Sequence, residues 1–277
     1  KKYIADLIKH FGEMPRAEYM KQEVIDAAAT KLHPNVTPAT RNCYVYTPVS
    51  AILHHALGEK SNRALIRRPA GAKGRELKHF MWPEDVFAII READKIDAEF
   101  GLYLRILLFT GMRKGEGLGL LASDVRVKER VAWLHKTKNE DPRMVRLCDA
   151  LLSLLEDHLK NHDGTRLIRF SNGGHLWHLL TRAKLAAVGL PCPKRRPKGW
   201  TTPKHRLSFV GFHVFRHTFA TWFRMYAGGD VQGLVETGNW RDVKSAARYA
   251  HVVARQEWDR VAHFPTSASV AKKKRAS

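Results

Sequence analysis

The chain has 277 residues, with 48 Lys or Arg against 27 Asp or Glu, a formal net charge of +21 and an isoelectric point near 10.1. Hydrophobic residues make up 44%, enough for a packed core, which excludes a disordered polybasic tail. No apolar run reaches the ~18 residues of a membrane span, and three scattered cysteines (Cys43, Cys148, Cys192) exclude a disulfide framework and fit a reducing compartment. The length predicts two domains, and the charge predicts a polyanionic partner, nucleic acid first. The chain opens at Lys1 with no apolar signal segment behind it, as expected of a trimmed sequence.

In chain order, residues 1–64 read as a helical domain. A helix is predicted after Pro15, with Tyr19, Met20, Val24, Ile25 and Ala28 near helical spacing. A second is predicted from Pro38 to Leu57, with Thr37 as N-cap, Gly58 as stop and a kink at Pro48. Residues 65–79 hold Pro69, Gly71 and Gly74 among Arg67, Arg68, Lys73 and Arg75, the composition of an extended basic linker.

Residues 80–265 read as a second, mixed domain. Pro83 to Ala93 is predicted as a helix with Pro in its first turn, and Leu102 to Thr110 as an apolar helix stopped by Gly111. A break at Ser123-Asp124 precedes a hairpin of two strands, Val125–His135 and Met144–Leu147, turning at Asn139-Glu140-Asp141-Pro142. Helices follow over Leu151–Leu159, Leu176–Val188 and Phe212–Tyr226, the last ended by Gly228-Gly229. A helix over Val243–Ala262 closes the domain, and 266–277 is a basic tail. The expected fold class is mainly α with a small β-sheet (α+β).

The charge is uneven. From Gly164 to Gly229 the chain holds twelve Lys or Arg and no Asp or Glu. Surfaces normally mix signs, so this stretch is expected to face phosphates. Its densest part, Pro191 to Arg206, reads as a loop carrying Lys194, Arg195, Arg196, Lys198, Lys204 and Arg206.

Three short segments hold the residues suited to chemistry. Thr110-Gly111-Met112-Arg113-Lys114-Gly115-Glu116 presents an Arg where an apolar helix ends in a Gly turn. His213-Val214-Phe215-Arg216-His217-Thr218 places His213 and Arg216 on one helix face. Gly238-Asn239-Trp240 is followed by Arg248-Tyr249-Ala250-His251. In this order and spacing the segments resemble the tyrosine recombinase (phage integrase) family. TGMRKGE resembles its TGxRxxE box, HVFRHTFAT its HxxRHTxAT box, and GNW…RYAHV its G(H/W)…xYxH box. Ala39–Asn42 with Ala51–Leu53 is similar to the family's core-binding domain. The resemblance covers about residues 1–263 and implies a helical core-binding domain followed by a tyrosine-recombinase catalytic domain.

By this resemblance Arg113 and Arg216 match the two catalytic arginines, His213 the first residue of the HxxR box, Trp240 the position that is His or Trp, and Tyr249 the nucleophile. Reading the hairpin against the family's TKTGxxRxVPL pattern selects Lys138 as the catalytic lysine. Lys136, two residues away and able to share its strand face, stays open as the alternative. Arg146 stands where the family usually has Pro, and Glu140-Asp141 makes the turn acidic.

The implied reaction is transfer of a DNA phosphodiester to Tyr249, giving a 3′-phosphotyrosyl bond and a free 5′-hydroxyl, with no metal, cofactor or ATP. Arg113 and Arg216 suit the non-bridging oxygens through planar paired donors. His213 is the candidate general base, Lys138 the candidate acid, and Trp240 offers only an indole N–H donor. His213 and His217 are spaced i,i+4 as a metal pair is, but Arg216 beside them repels a cation. Glu116 is read as orienting its neighbours. The implied partner is double-stranded DNA, clamped through Arg67, Arg68, Lys73, Arg75 and the 191–206 loop. Tetramer assembly on DNA, accessory DNA-bending or directionality proteins and a cytoplasmic setting are implied with it, and no membrane. Two other readings use the same residues: DNA relaxation of the type IB topoisomerase kind, and a non-catalytic DNA-binding protein of the same fold.

Overall fold

The computed structural model describes residues 2–12, 14, 21–57, 66–72, 79–135, 142–195 and 197–252. The chain divides into two compact units, Lys1–Leu77 and Lys78–Ser277.

The first unit is helical: α1 (Lys2–Phe11), α2 (Gln22–Leu32), α3 (Pro38–Arg41), a π-helical turn (Asn42–Tyr46) and α4 (Thr47–Leu57). Leu7, Ile25, Ala29, Val45, Tyr46, Val49 and Leu53 form its core. Thr37 caps α3, its hydroxyl accepting from the Thr40 N–H at 3.3 Å. The kink expected at Pro48 takes a different form. Pro48 has no N–H to give, and its ring would meet the carbonyl four residues back. The turn before it widens instead, so that the Thr47 N–H bonds Asn42 O, five residues back.

Residues 66–72 lie along this unit. Ile66 packs on its core. The Gln22 side chain accepts from the Arg67 N–H at 2.8 Å and donates to Arg67 O at 3.2 Å. Asn42 donates to Ala72 O at 3.3 Å. Those backbone bonds hold the start of the basic segment against α2 and the π turn.

The second unit is built around α6 (Ala98–Thr110), which follows α5 (Pro83–Ile96) directly. Phe100, Tyr103, Leu104, Ile106, Leu107 and Leu108 are all buried, so α6 is apolar almost all round, as a central helix must be. Asp97 caps its start by accepting from the Phe100 N–H at 3.1 Å. Gly111 ends it in the left-handed region at φ 67. There follow α7 (Lys114–Gly119), β1 (Val125–Arg126), β2 (Val131–Leu134), β3 (Arg143–Arg146), α8 (Asp149–Lys160), α9 (Gly174–Ala187), α10 (Phe212–Met225), α11 (Val231–Glu236) and α12 (Val243–Ala246). Helices α5 and α10 pack on α6, and α9 packs on α5.

The sheet is antiparallel in the order β1-β2-β3. Ala132 pairs with Val145, and Leu134 with Arg143. Ala132, Leu134 and Val145 face the core, which puts Arg143 on the inward face and leaves Met144 exposed. The single strand expected over 125–135 is two strands, because the chain reverses at 127–130 with Arg130 in the left-handed region at φ 60. The Arg130 N–H bonds Val127 O at 3.0 Å, and its guanidinium pairs with Asp149. The closing helix expected over 243–262 stops at Ala246 and gives way to a 3₁₀ turn, Ala247–Tyr249. Asp242 caps α12 by accepting from the Ser245 N–H at 2.7 Å. With three residues per 3₁₀ turn, Ala246 and Tyr249 fall on one face, and both are buried. Residues 253–262 of the expected helix and the tail lie outside the described residues.

Gly111 is required twice. Its backbone is left-handed, and an added Cβ would stand 2.5 Å from Phe219 Cδ1. We expect Gly111→Ala to lower unfolding free energy by about 2 kcal/mol or more, from left-handed strain plus the displaced ring. Urea titration of the two proteins measures it.

Candidate active site

The site is assembled where α6 ends, where α10 begins its second turn, and where the chain turns after α11. The end of α6 delivers Arg113 as the N-cap of α7. Its N–H donates to Glu116 Oε2 and its guanidinium to Glu116 Oε1, both at 2.8 Å. Arg143 reaches the same carboxylate from β3, with Nη2 2.7 Å from Oε2 and Nη1 3.3 Å from Oε1. Burial by itself would raise the Glu116 pKa, but the hydrogen bonds from Arg143 and Arg113 outweigh it and hold the group at about 2.

Arg216, on α10, is 4% exposed. Its Nη1 donates to Gly111 O at 2.6 Å and Asn239 Oδ1 at 3.3 Å, and its Nη2 donates to Asn239 O. The guanidinium lies over the Trp240 ring, 4.4 Å from its centroid. Burial first, then the like charge of Arg113, lowers its pKa to about 10, so it remains a cation at neutral pH. Asn239 is the joint between segments. Besides serving Arg216, it donates through Nδ2 to Thr110 O at 2.8 Å and accepts from Arg143 Nη2 at 3.2 Å.

Tyr249 is 5% exposed, with its ring edge-on to Trp240 at 5.5 Å. Its hydroxyl is 2.6 Å from His217 Nδ1. Burial pushes the Tyr249 pKa up to about 12, against the pull of Arg216 and Arg248. His217 is itself buried. Burial, with His213, Arg248 and Arg216 nearby, lowers its pKa to about 4, so the ring is neutral at pH 7. His213 sits one turn earlier on the exposed side of α10, its ring 4.6 Å from that of His217 at 82°. The packed side of its ring, then Arg216, Arg248 and Arg113, shift its pKa downward too. The chain just beyond Tyr249 is fastened to α10, where Arg224 Nε donates to Val252 O at 2.9 Å.

The structure thus brings Arg113, His213, Arg216, Trp240 and Tyr249 into one site. Lys138 and its alternative Lys136 lie outside the described residues, as do Lys73, Arg75 and Arg196. Lys194, Arg195, Lys198 and Lys204 are exposed on the 191–206 loop, and Arg67 and Arg68 are exposed on the first unit. Arg206 is exposed but forms an ion pair with Asp85.

The acid-free stretch is therefore less uniformly phosphate-facing than its sequence indicates. Arg169 pairs with Asp97 and Glu99, Lys184 is buried with Nζ 2.7 Å from Val210 O, and Arg224 serves backbone carbonyls. Sequence reasoning gave no role at the site to Arg143, Asn239 or the His217–Tyr249 bond. Two signals were available: Arg143 falls on the arginine of the TKTGxxRxVPL pattern, and Asn239 and His217 adjoin assigned residues. Among the described residues, no group of three or more His, Cys, Asp or Glu could hold a metal ion.

The sequence profile of the phage integrase family matches residues 79–256, and the chain belongs to that family. Over 156 residues it is 27% identical to the integrase of Salmonella phage P22, covering 52% of this chain and 37% of that protein. Over 153 residues it is 28% identical to tyrosine recombinase XerA of Saccharolobus solfataricus, covering 55% of this chain and 45% of that protein. The chain spans less than half the length of these relatives. Its fold is similar to the Tn1549 transposon integrase in complex with circular intermediate DNA, with TM-score 0.63, 15% identity, and coverage of 100% of this chain and 99% of that one. It is similar also to the XerH site-specific recombinase bound to a palindromic difH substrate in a post-cleavage complex, with TM-score 0.64, 18% identity, and coverage of 95% and 77%.

The Glu116 pKa of about 2 lies below its ordinary 4.5. Its contribution to stability is therefore complete above about pH 4.5 and is lost as pH falls through 2. We expect Glu116→Gln to cost on the order of 3 kcal/mol at neutral pH, and the gap from the unsubstituted protein to shrink steadily below about pH 4.5. Urea titrations across that pH range read both.

Proposed function

We propose that the protein is a site-specific DNA recombinase of the integrase type, cutting and rejoining double-stranded DNA through a 3′-phosphotyrosyl link to Tyr249. The observation that carries this reading is the convergence of the three boxes, with the Tyr249 ring against Trp240 and Trp240 against the Arg216 guanidinium. A tyrosine held among fixed cations suits attack on a phosphodiester. The pentavalent transition state gathers negative charge on the non-bridging oxygens, and preorganised guanidiniums stabilise it without reorganising.

Arg113, with its side chain 34% exposed, is an open cation at the site, whereas Arg216 is buried. In the proposed step the Tyr249 oxygen attacks phosphorus in line. Its proton passes to an imidazole of α10, and the departing 5′-oxygen takes a proton from the hairpin lysine, Lys138. The covalent link keeps the bond energy, so a second 5′-hydroxyl reverses the step without ATP. Trp240 packs Arg216 and Tyr249 and offers its N–H to a phosphate oxygen.

The +21 charge supports a duplex as partner. Arg67 and Arg68 on the first unit, and Lys194, Arg195, Lys198 and Lys204 on the second, are exposed and in this reading serve as phosphate contacts that position the protein rather than read bases. Lys73, Arg75 and Arg196 complete the set, and Arg206 joins it only by exchanging Asp85 for a phosphate. A helical core-binding domain over 1–64, a linker over 65–79 and a catalytic domain over 80–265 divide the labour. Recombination by a tetramer on DNA, helped by DNA-bending or directionality proteins, in the cytoplasm, completes the reading.

The test is a nicked suicide duplex tiled from the ends of the mobile element that an integrase of this kind would move, which traps the covalent adduct. We expect an adduct mapped to Tyr249 that Tyr249→Phe abolishes while duplex affinity holds; unchanged adduct yield in that variant overturns the nucleophile assignment. Lys138→Ala should cut slowly and recover on a 5′-thiol leaving group, and the same behaviour in Lys136→Ala instead moves the acid by two residues. Affinity should fall linearly on a log–log plot against salt, and flat dependence contradicts the phosphate clamp. A two-site plasmid separates strand exchange from simple relaxation.

A further inference from the structure

The Tyr249 hydroxyl has a specific partner, and it is not the histidine that heads the HxxR box. His217 Nδ1 lies 2.6 Å away, with both residues buried. The two rings are tilted at 52° with centroids 5.8 Å apart, which suits an in-plane hydrogen bond rather than stacking. A phenol held near pKa 12 keeps its proton at neutral pH and is the donor. His217 then accepts through the Nδ1 lone pair, which requires a neutral ring with its proton on Nε2. His213, by contrast, lies on the exposed side of α10.

Resting on the reading of Tyr249 as nucleophile, we propose that His217, rather than His213, receives the Tyr249 proton as the tyrosine attacks DNA. As the Oη–P bond forms, the Oη–H bond breaks and the proton moves to Nδ1, leaving an imidazolium protonated on both nitrogens. The P–O5′ bond breaks, and its electron pair leaves on the 5′-oxygen, which is protonated by the acid of the proposed reaction, Lys138. In the reverse step the imidazolium returns the proton to the tyrosine oxygen.

The groups facing His217 explain why this base waits for its substrate. They are His213 and Arg216 from α10, and Arg248 and Tyr249 from the 3₁₀ turn, with Arg113 acting on Arg216 and His213 from the start of α7. Their positive field opposes an imidazolium. A phosphodiester seated against Arg113 and Arg216 brings the negative charge that offsets this field, and the proton affinity of His217 rises with it. The Tyr249 hydroxyl is thus stored on a weak base that strengthens when DNA is bound.

A hydrogen bond that merely satisfies a buried phenol would give the same static picture, so the test uses proton transfer itself. Single-turnover cleavage of the suicide duplex is measured for the full chain and for His217→Ala, His217→Gln and His213→Ala. We expect His217→Ala to bind duplex like the unsubstituted chain and to form adduct about 10²–10⁴-fold more slowly. Added imidazole and methylimidazoles should restore its rate in order of their basicity, and should not restore His213→Ala. His217→Gln keeps a hydrogen-bonding side chain of similar length and should be as slow, which decides the matter if the Ala variant does not fold.

Cleavage by His217→Gln within threefold of the unsubstituted rate overturns the assignment, as does rescue of His213→Ala in place of His217→Ala. Long-range ¹H–¹⁵N spectra of the DNA-free protein should show His217 Nδ1 unprotonated, and a protonated Nδ1 overturns the assignment as well. Absence of any adduct from the unsubstituted chain fails the recombinase reading itself, an outcome distinct from an active chain whose His217 variants also cut.

Discussion

A single buried cation organises this site. Taking the Arg216 guanidinium out of water costs several kcal/mol unless its donors are met. Nη1 and Nη2 bond Gly111 O, Asn239 O and Asn239 Oδ1, with the Trp240 ring covering the guanidinium's face. Each partner imposes a local constraint. Gly111 must turn left-handed so that its carbonyl points at Arg216, Asn239 must be buried in the turn after α11, and Trp240 must lie flat beneath the guanidinium. The three boxes, far apart in the chain, are held together because one charge needs partners from all of them.

Glu116 performs the complementary task. Arg113, Arg143 and Arg216 are like charges in a small volume, and the Glu116 carboxylate spans two of them with four hydrogen bonds, one from the Arg113 backbone. Because Arg143 belongs to β3 and Glu116 to α7, the carboxylate also ties the sheet to the end of α6. The hairpin is thereby registered against the site by an ion pair rather than by apolar packing alone. Arg143 reaches inward because it shares a strand face with Val145, the consequence of a two-residue repeat.

The elements legible in the sequence were those with local causes. Pro83 opening α5, the apolar stretch ending at Gly111, and the α10 pattern from Phe212 all carry their signals within a few residues. The reversal at Arg130 was hidden because it uses a left-handed arginine where Gly or Asn would announce a turn. The π turn was hidden because Pro48 predicts a disturbance but not how the backbone absorbs it. Arg143 stood on the arginine of the hairpin pattern, but its partners, like those of Asn239, were hidden by distance: the two meet across 96 residues, and Asn239 meets Thr110 across 129. The acid-free stretch misled for the same reason. The carboxylates that neutralise Arg169 and Arg206 are Asp97, Glu99 and Asp85, supplied from far earlier in the chain.

The 3₁₀ turn that carries Tyr249 has a geometric corollary. Successive side chains in such a turn are set about 120° apart, whereas in an α-helix they are about 100° apart. Over the three residues from Ala246 to Tyr249 the difference accumulates to about 60°. A relaxation of that one turn toward α winding would swing the tyrosine through an arc of that size about the local axis, with its backbone neighbours still helical. The direction in which the hydroxyl points is therefore set by the pitch of a single turn, anchored on one side by the Asp242 cap and on the other by the hold of Arg224 on Val252.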